Sequence, residues 1–161
     1  MEIEVKARLA DKAATVSKLT ALGCVFSEPK TQDDMVWVKN MGPLETFLAN
    51  DVFLRIRIEN GEKTILTAKR PKAKTGDESL VKREHEVVVN SADEARGILD
   101  LLGLTEAVRC VKTRQTTHYQ DFEICIDDVE GLGSFIELEK IAEQEDAQNI
   151  QNEMFEFLKT L

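Results

Sequence analysis

Paired glutamates alternate with apolar residues in three separate stretches of the chain. The pairs are Glu2 and Glu4, Glu84 and Glu86, and Glu137 and Glu139. Residues two apart on a β-strand point to the same face, with Cα atoms about 7 Å apart. Carboxylates at that spacing on adjoining strands can hold a divalent cation that prefers oxygen ligands. A single pair most often solvates an exposed face or offsets an arginine, whereas three pairs on three predicted strands favour a metal site.

Basic residues occupy the same kind of alternating position in the predicted strands. They are Lys6, Arg55, Arg57, Lys69, Lys82, Lys112 and Arg114. Arginine offers a planar fork to phosphate oxygens and lysine offers a point charge, so a mixed set can contact several phosphates at once. The alternative is a set of ion pairs with the glutamates and no ligand, which would carry a large desolvation cost. We therefore expect the acids and bases to share a metal-bound, polyanionic ligand.

The segments that carry these residues are predicted to be strands, because their charged and apolar residues alternate with a period of two. Acids and bases on one face of so many strands predict a closed sheet, whose crowded inward charges need counterions. Amphipathic helices would cover the apolar face. Asn60-Gly61, between two alternating runs, predicts a tight hairpin. The predicted elements are strands at 2–9, 24–26, 34–39, 52–59, 63–70, 79–89, 109–119, 121–127 and 135–143, and helices after Asp11, after Ser91 and at 146–161.

Length and composition favour a single α+β domain over residues 1–161. The chain is 42% apolar and 32% charged, which is typical of a globular protein with one substantial core. Its net charge of -9 disfavours binding to nucleic acid over a broad surface. Apolar runs stay well short of the roughly 20 residues that a membrane span requires, so we expect no membrane association.

Several features favour a cytoplasmic protein. The N-terminus opens on a charged strand and not on a signal-like apolar segment, which predicts no export. Cys24, Cys110 and Cys125 are odd in number and lack metal-ligand spacing, so buried thiols in a reducing compartment are expected. His85 and His118 have no obvious chemical partner in the sequence and are predicted to be passive.

One motif resembles the signature of a known family. Glu2-Ile3-Glu4-Val5-Lys6 resembles the E-x-E-x-K signature of the CYTH superfamily, also called triphosphate tunnel metalloenzymes. Within the superfamily the sequence looks most like the class IV adenylyl cyclases. The remaining matching segments, in the family's order, are Leu54-Arg55-Ile56-Arg57, Leu66-Thr67-Ala68-Lys69, Arg83-Glu84-His85-Glu86, Lys112-Thr113-Arg114 and the run from Asp127 to Glu139.

This resemblance implies a closed, eight-stranded antiparallel barrel that forms a tunnel, has a charged lumen and carries its helices outside. It would bind a triphosphate with Mg2+ or Mn2+. The implied metal ligands are Glu2, Glu4, Asp127, Glu137 and Glu139. The implied phosphate-binding residues are Lys6, Arg55, Arg57, Lys69, Lys82, Lys112 and Arg114. The implied catalytic residues are Lys6, Glu84 and Glu86.

Three functions remain open at this point. The first is an adenylyl cyclase that converts ATP to cyclic AMP and pyrophosphate, which the overall similarity favours. The second is a triphosphatase acting on tripolyphosphate, thiamine triphosphate or nucleoside triphosphates. The third is a non-catalytic binder of polyphosphate or nucleotide. The expected partner is a small-molecule triphosphate, and the expected assembly is a monomer or homodimer.

Overall fold

The computed structural model of the protein describes residues 2–39, 52–70, 83–141, 143 and 146–161. These residues form an α+β fold, as predicted, with eight strands in one antiparallel sheet of order β1-β8-β7-β6-β2-β3-β4-β5. The elements are β1 (Glu2–Arg8), α1 (Lys12–Ala21), β2 (Lys30–Val38), β3 (Phe53–Glu59), β4 (Lys63–Arg70), β5 (Arg83–Val89), α2 (Ala92–Leu101), β6 (Thr105–Tyr119), β7 (Phe122–Val129), β8 (Gly133–Ile141) and α3 (Ala147–Thr160).

The prediction of a closed barrel is wrong for the described part of the chain. The order of hydrogen-bonded strands ends at β1 on one side and at β5 on the other, so the sheet is open in its pairing. The alternation of charged and apolar residues fixes which face of a strand is charged, but it carries no information about what pairs with the outer strands. The predicted strand at 24–26 is also wrong, since those residues lie outside any regular element.

The chain divides into two compact units, and the first comprises Met1–Lys30 and Lys112–Leu161. In this unit α1 and α3 cover the apolar face of β1, β7 and β8. Leu19 of α1 and Met154 of α3 are fully buried among Ile3, Ile124 and Leu138. Removing such side chains from water is the main driving force for this packing. The charged face of the same strands is therefore turned away from the helices.

Local signals in the sequence account for the start and end of α1. The side chain of Asp11 caps the helix by accepting a hydrogen bond from the Ala14 backbone N–H at 2.9 Å. Gly23 follows the helix with φ of +91°, a left-handed conformation that glycine adopts without steric cost. Lys18 also donates a hydrogen bond to the carbonyl of Leu161 at 2.7 Å, which ties α1 to the end of α3.

The second unit comprises Thr31–Val111 and is built around β2, β3, β4 and β5. Met35, Trp37 and Ile56 form its core with Ala95 and Leu99 of α2. The predicted cap of α2 is confirmed, because the Ser91 hydroxyl accepts a hydrogen bond from the Glu94 N–H at 3.2 Å. Again one face of the sheet is apolar and covered by a helix, and the other is charged.

The predicted hairpin between β3 and β4 is confirmed. Asn60 and Gly61 both have positive φ, at 52° and 72°, and the Glu62 backbone N–H donates a hydrogen bond to the Glu59 carbonyl at 3.0 Å, so residues 60–62 make a tight connection. The turn fixes the register, in which Arg55 lies opposite Thr67 and Arg57 lies opposite Ile65.

Among the described residues, no helix is both long enough and apolar enough to span a membrane.

Candidate functional site

Three carboxylates converge on the charged face of the first unit. Glu4 of β1 lies directly opposite Glu139 of β8, and Glu2 is two residues before Glu4 on the same face. One oxygen from each of these side chains lies within 4.8 Å of the other two. We call Glu2, Glu4 and Glu139 the acidic cluster. Ligand oxygens around Mg2+ lie at about 2.1 Å from the ion and thus about 3 to 4 Å apart, so the cluster fits this ion after small side-chain movements.

The electrostatics of Glu139 also favour a cation at the acidic cluster. Burial raises the pKa of its carboxyl to about 7, and the negative charges of Glu137 and Glu2 add to that effect. A carboxyl with such a pKa is partly protonated at neutral pH. A bound divalent cation would favour its ionised form, so the cluster gains an interaction that a protonated carboxyl cannot provide.

A cavity of about 620 Å³ lies next to two members of the acidic cluster. Glu2 and Glu139 line it together with Asp121, Glu123 and His118. His118 Nε2 lies 3.5 Å from Glu123 Oε2 across the β6–β7 hairpin. His118 is predicted from the sequence to be passive, although a two-residue turn at 120–121 already places it opposite Glu123.

A network of ion pairs occupies the same charged face, farther along the strands. Asp127 is 2% exposed and accepts two hydrogen bonds from Arg114, from Nε at 2.6 Å and from Nη2 at 2.7 Å. Lys112 Nζ donates to the same carboxylate at 2.8 Å. Glu137 Oε2 lies 2.5 Å from Arg114 Nη2 and 3.2 Å from Lys6 Nζ. We call these five residues the first ion-pair network.

Ion pairing keeps the acids of this network charged despite their burial. Burial alone would raise the pKa of Asp127, but the hydrogen bonds from Arg114 and Lys112 outweigh it and hold that pKa below the usual value. Burial likewise acts to raise the pKa of Glu137, and the charges of Lys6 and Arg114 lower it overall. The buried acids of the network therefore hold the charged groups of Lys6, Lys112 and Arg114 in place.

Of the five residues predicted as metal ligands, the structure brings three together. Among the described side chains, Asp127 and Glu137 lie against lysine and arginine and are not part of the acidic cluster. Their role as metal ligands stays a prediction. The same holds for the phosphate-binding roles of Lys6, Lys112 and Arg114, which the structure places on the same face as the acidic cluster.

The second unit carries its own charged face, with ion pairs between neighbouring strands. Arg57 holds Asp34 by two hydrogen bonds, from Nε at 2.6 Å and from Nη2 at 2.7 Å. Asp34 is 7% exposed and was not among the predicted site residues. Its position directly opposite Arg57 in the β2–β3 register explains the pair, but that register is not evident before the strands are paired.

The remaining predicted residues of the second unit are also paired. Lys69 Nζ lies 2.7 Å from Glu84 Oε2, and Arg55 Nη2 lies 3.0 Å from Glu86 Oε1 and 3.6 Å from Glu84 Oε1. The structure thus places the two glutamates beside cations, and their catalytic role stays a prediction. Lys82 lies outside the described residues, so its predicted contact with phosphate also stays a prediction.

Comparisons with known proteins agree in pointing to one family. A family model described as the CYTH domain matches residues 1–161. The chain is 36% identical over 162 residues to the Methanocaldococcus jannaschii protein named "Putative adenylate cyclase MJ0240", and the match covers 100% of this chain and 89% of that protein.

Two solved structures illustrate the similarity of fold. The PH1819 protein from Pyrococcus horikoshii OT3 has a TM-score of 0.79 and 28% identity, over 99% of this chain and 89% of that one. The Hippeastrum protein named "Putative adenylyl cyclase HpAC1", which is described as having a dominant triphosphatase activity, has a TM-score of 0.63 and 19% identity, over 99% and 87% of the two chains. At that identity the second likeness shows the fold alone.

Proposed function

Because the chain belongs to the CYTH domain family, we propose that it is a metal-dependent enzyme acting on a triphosphate, most specifically an adenylyl cyclase. The relative at 36% identity carries an adenylate cyclase name, which supports that reaction. The structural observation that carries the proposal is the acidic cluster on the same sheet face as the first ion-pair network. Carboxylates for a divalent cation and fixed cations for phosphates are the two requirements for binding a metal triphosphate.

In this proposal Glu2, Glu4 and Glu139 hold Mg2+ or Mn2+. The metal would neutralise phosphate charge and make a bound hydroxyl or water easier to deprotonate. Lys6, at the exposed end of the first ion-pair network, contacts the substrate as a catalytic residue. Lys112 and Arg114 stabilise the phosphate oxygens as negative charge develops on them.

The cyclase reaction forms one bond and breaks another at the α-phosphorus. The ribose 3′-hydroxyl gives its proton to water or to a proposed catalytic carboxylate, and its oxygen attacks that phosphorus. The bond to the bridging oxygen of the β-phosphate breaks, and pyrophosphate leaves with the negative charge. Catalysis of this step depends mainly on positioning and charge stabilisation. In the second unit, the proposed phosphate-binding residues on the charged face are Arg55, Arg57 and Lys69. Glu84 and Glu86 are the further proposed catalytic residues.

Triphosphate hydrolysis is the second candidate. In that reaction water attacks the terminal phosphate, and the same charged residues would serve. One observation favours it: among the described residues lining the cavity beside the acidic cluster, no Phe, Tyr or Trp ring is available to stack on adenine. The substrate would then be tripolyphosphate, thiamine triphosphate or a nucleoside triphosphate recognised mainly through its phosphates.

A non-catalytic anion binder is the third candidate, and the acidic cluster argues against it. Three converging carboxylates repel a polyanion unless a metal intervenes.

We also propose a cytoplasmic protein that is a monomer or homodimer. The burial of Cys24 and Cys125 as thiols supports a reducing compartment.

The test is product analysis with the purified protein. ATP, tripolyphosphate and thiamine triphosphate are each incubated with Mg2+, with Mn2+ or with EDTA, and cyclic AMP, pyrophosphate and orthophosphate are separated. We expect equal amounts of cyclic AMP and pyrophosphate from ATP, only with metal. Release of orthophosphate from tripolyphosphate, with no cyclic AMP formed from ATP, would establish the hydrolase. An absence of metal-dependent product from all three substrates would refute the enzyme proposal. The Glu4→Gln variant, prepared in parallel, controls for contaminating enzymes.

A further inference from the structure

Thr67 of β4 occupies the centre of the charged face of the second unit. Its side chain is fully buried, at 0% exposure, although it lies on the polar side of the sheet. In the strand register it stands directly between Arg55 of β3 and Glu86 of β5. A buried hydroxyl at such a position must have hydrogen-bond partners.

The Thr67 hydroxyl links the two charged groups on either side of it. Arg55 Nη2 donates a hydrogen bond to Thr67 Oγ1 at 3.2 Å, and Thr67 Oγ1 donates its own hydrogen to Glu86 Oε1 at 2.8 Å. Arg55 Nη2 also donates directly to Glu86 Oε1 at 3.0 Å. The three polar atoms therefore form a closed triangle, in which each position depends on the other two.

Arg55 donates both of these hydrogen bonds from a single guanidinium nitrogen, Nη2. Arg55 Nε is buried and, among the described residues, has no hydrogen-bond acceptor. The orientation of the Arg55 guanidinium is consequently set at Nη2, by hydrogen bonds to Thr67 and Glu86, with Glu84 Oε1 3.6 Å away. The guanidinium also carries two donors on Nη1, from which a phosphate oxygen can accept a hydrogen bond.

We propose that Thr67 is a positioning residue that holds the Arg55 guanidinium in the orientation in which it contacts a phosphate group of the substrate. The inference rests on the proposed function, since it needs a triphosphate ligand. Thr67 itself does not touch the phosphate. It acts by limiting the rotation of Arg55 before binding, which reduces the entropy lost when the phosphate is bound.

The lowered pKa of Glu86 agrees with the proposed positioning role of Thr67. Burial acts to raise the pKa of Glu86, but the hydrogen bond from Thr67 is the largest influence in the other direction, and the pKa is lowered overall. The hydroxyl thus helps to keep Glu86 ionised, and an ionised carboxylate is the stronger acceptor for Arg55.

The test is calorimetric binding of inorganic tripolyphosphate with Mn2+ to four forms of the full chain. These are the wild type, Thr67→Val, Thr67→Ser and Thr64→Val. Valine has nearly the shape of threonine without its hydroxyl, and serine restores the hydroxyl. Thr64 is the matched control because it is also buried on β4, at 8% exposure, but lies on the opposite face.

We expect Thr67→Val to weaken tripolyphosphate binding about tenfold, the size of one charge-assisted hydrogen bond. Thr67→Ser and Thr64→Val should both stay within about twofold of the wild type. Equal binding by Thr67→Val and wild type would overturn the inference, as would equal losses in Thr67→Val and either of the other two variants. If Thr67→Val does not fold, Thr67→Ala replaces it with the same expectations.

A second arm separates positioning from general damage. In an Arg55→Ala background, Thr67→Val should cause no further loss of tripolyphosphate binding, because there is no guanidinium left to orient. A full additional tenfold loss would contradict the inference. Binding by the wild type without turnover of any triphosphate would refute the proposed enzyme and leave the role of Thr67 intact. A wild type that does not bind tripolyphosphate would refute both.

Discussion

The two units present charged sheet faces that differ in how acids and bases are matched. In the second unit, Asp34, Glu84 and Glu86 each lie within ion-pair distance of an arginine or lysine. In the first unit, Glu139 is crowded by other carboxylates and has a raised pKa. Crowded acids are suited to a divalent cation, and arginines held by acids are suited to receive phosphates at fixed positions.

Removing one carboxylate from the acidic cluster should have the largest effect. We expect Glu4→Gln to reduce metal-dependent turnover at least about 100-fold, because the amide carries no charge to bind the cation. The fold should be retained, as judged by circular dichroism. Glu106→Gln is the matched control on an exposed strand position and should keep full activity. Full activity in Glu4→Gln would remove Glu4 from the metal site.

Breaking the buried pair of the second unit should cost both stability and affinity. In Arg57→Met the buried Asp34 loses both hydrogen bonds, so we expect the free energy of unfolding to fall by about 3 kcal/mol. The substrate KM should rise about tenfold if Arg57 also contacts phosphate. Adding Asp34→Asn should recover part of the stability but none of the affinity. Recovery of both would show that Arg57 serves only to neutralise Asp34.

The raised pKa of Glu139 predicts how stability depends on pH in the metal-free protein. Its carboxyl binds a proton more tightly in the folded than in the unfolded state, so its stabilising contribution is complete below about pH 4.5 and is lost as the pH rises through about 7. We expect denaturation with EDTA present to show a loss on the order of 1 to 3 kcal/mol between pH 5 and pH 8. Glu139→Gln should lack this loss.

The two buried carboxyls of the first ion-pair network do not obscure this pH window. Asp127 and Glu137 have lowered pKa values, so their contributions are complete above the unfolded values and are lost only as the pH falls through the lower folded values. An identical pH dependence in the wild type and Glu139→Gln, both without metal, would contradict the crowding of the acidic cluster.

The smallest effect is expected at an exposed pair with the same geometry as the buried one. Arg109 holds Asp33 through Nε at 2.9 Å and Nη2 at 2.6 Å, but the Arg109 side chain is 56% exposed. We expect Arg109→Ala to change the free energy of unfolding by less than about 1 kcal/mol and to leave turnover unchanged. A loss as large as that in Arg57→Met would mean that burial does not distinguish the two pairs.

The sequence was sufficient to predict the faces of the strands and the start of the helices. Alternation in Glu2 to Lys6 and in Leu54 to Ile58 identified the charged faces, and Asp11 and Ser91 identified two helix caps. These features are local, because a strand alternates with period two whatever its neighbours are.

The sequence was not sufficient to predict pairing across strands. Glu137 and Glu139 are equivalent in the sequence, yet Glu137 faces Lys6 and Arg114 whereas Glu139 faces Glu4. The register of β1 and β8 decides which of them joins the acidic cluster. For the same reason the sequence does not show which strands lie at the edges of the sheet. A closed barrel was therefore predicted, although the strand pairing is open. Thr67 and Asp34 were missed because their importance appears only once the neighbouring strand is in place.

The most direct test of the acidic cluster as a metal site is a Mn2+ titration followed by electron paramagnetic resonance. Free Mn2+ is measured at pH 8 for the wild type, Glu4→Gln, Glu139→Gln and the control Glu106→Gln. We expect the wild type and the control to bind Mn2+ equally and the two cluster variants to bind at least about tenfold more weakly. Equal Mn2+ binding by all four proteins, or no binding by the wild type, would contradict the assignment of the acidic cluster as a metal site.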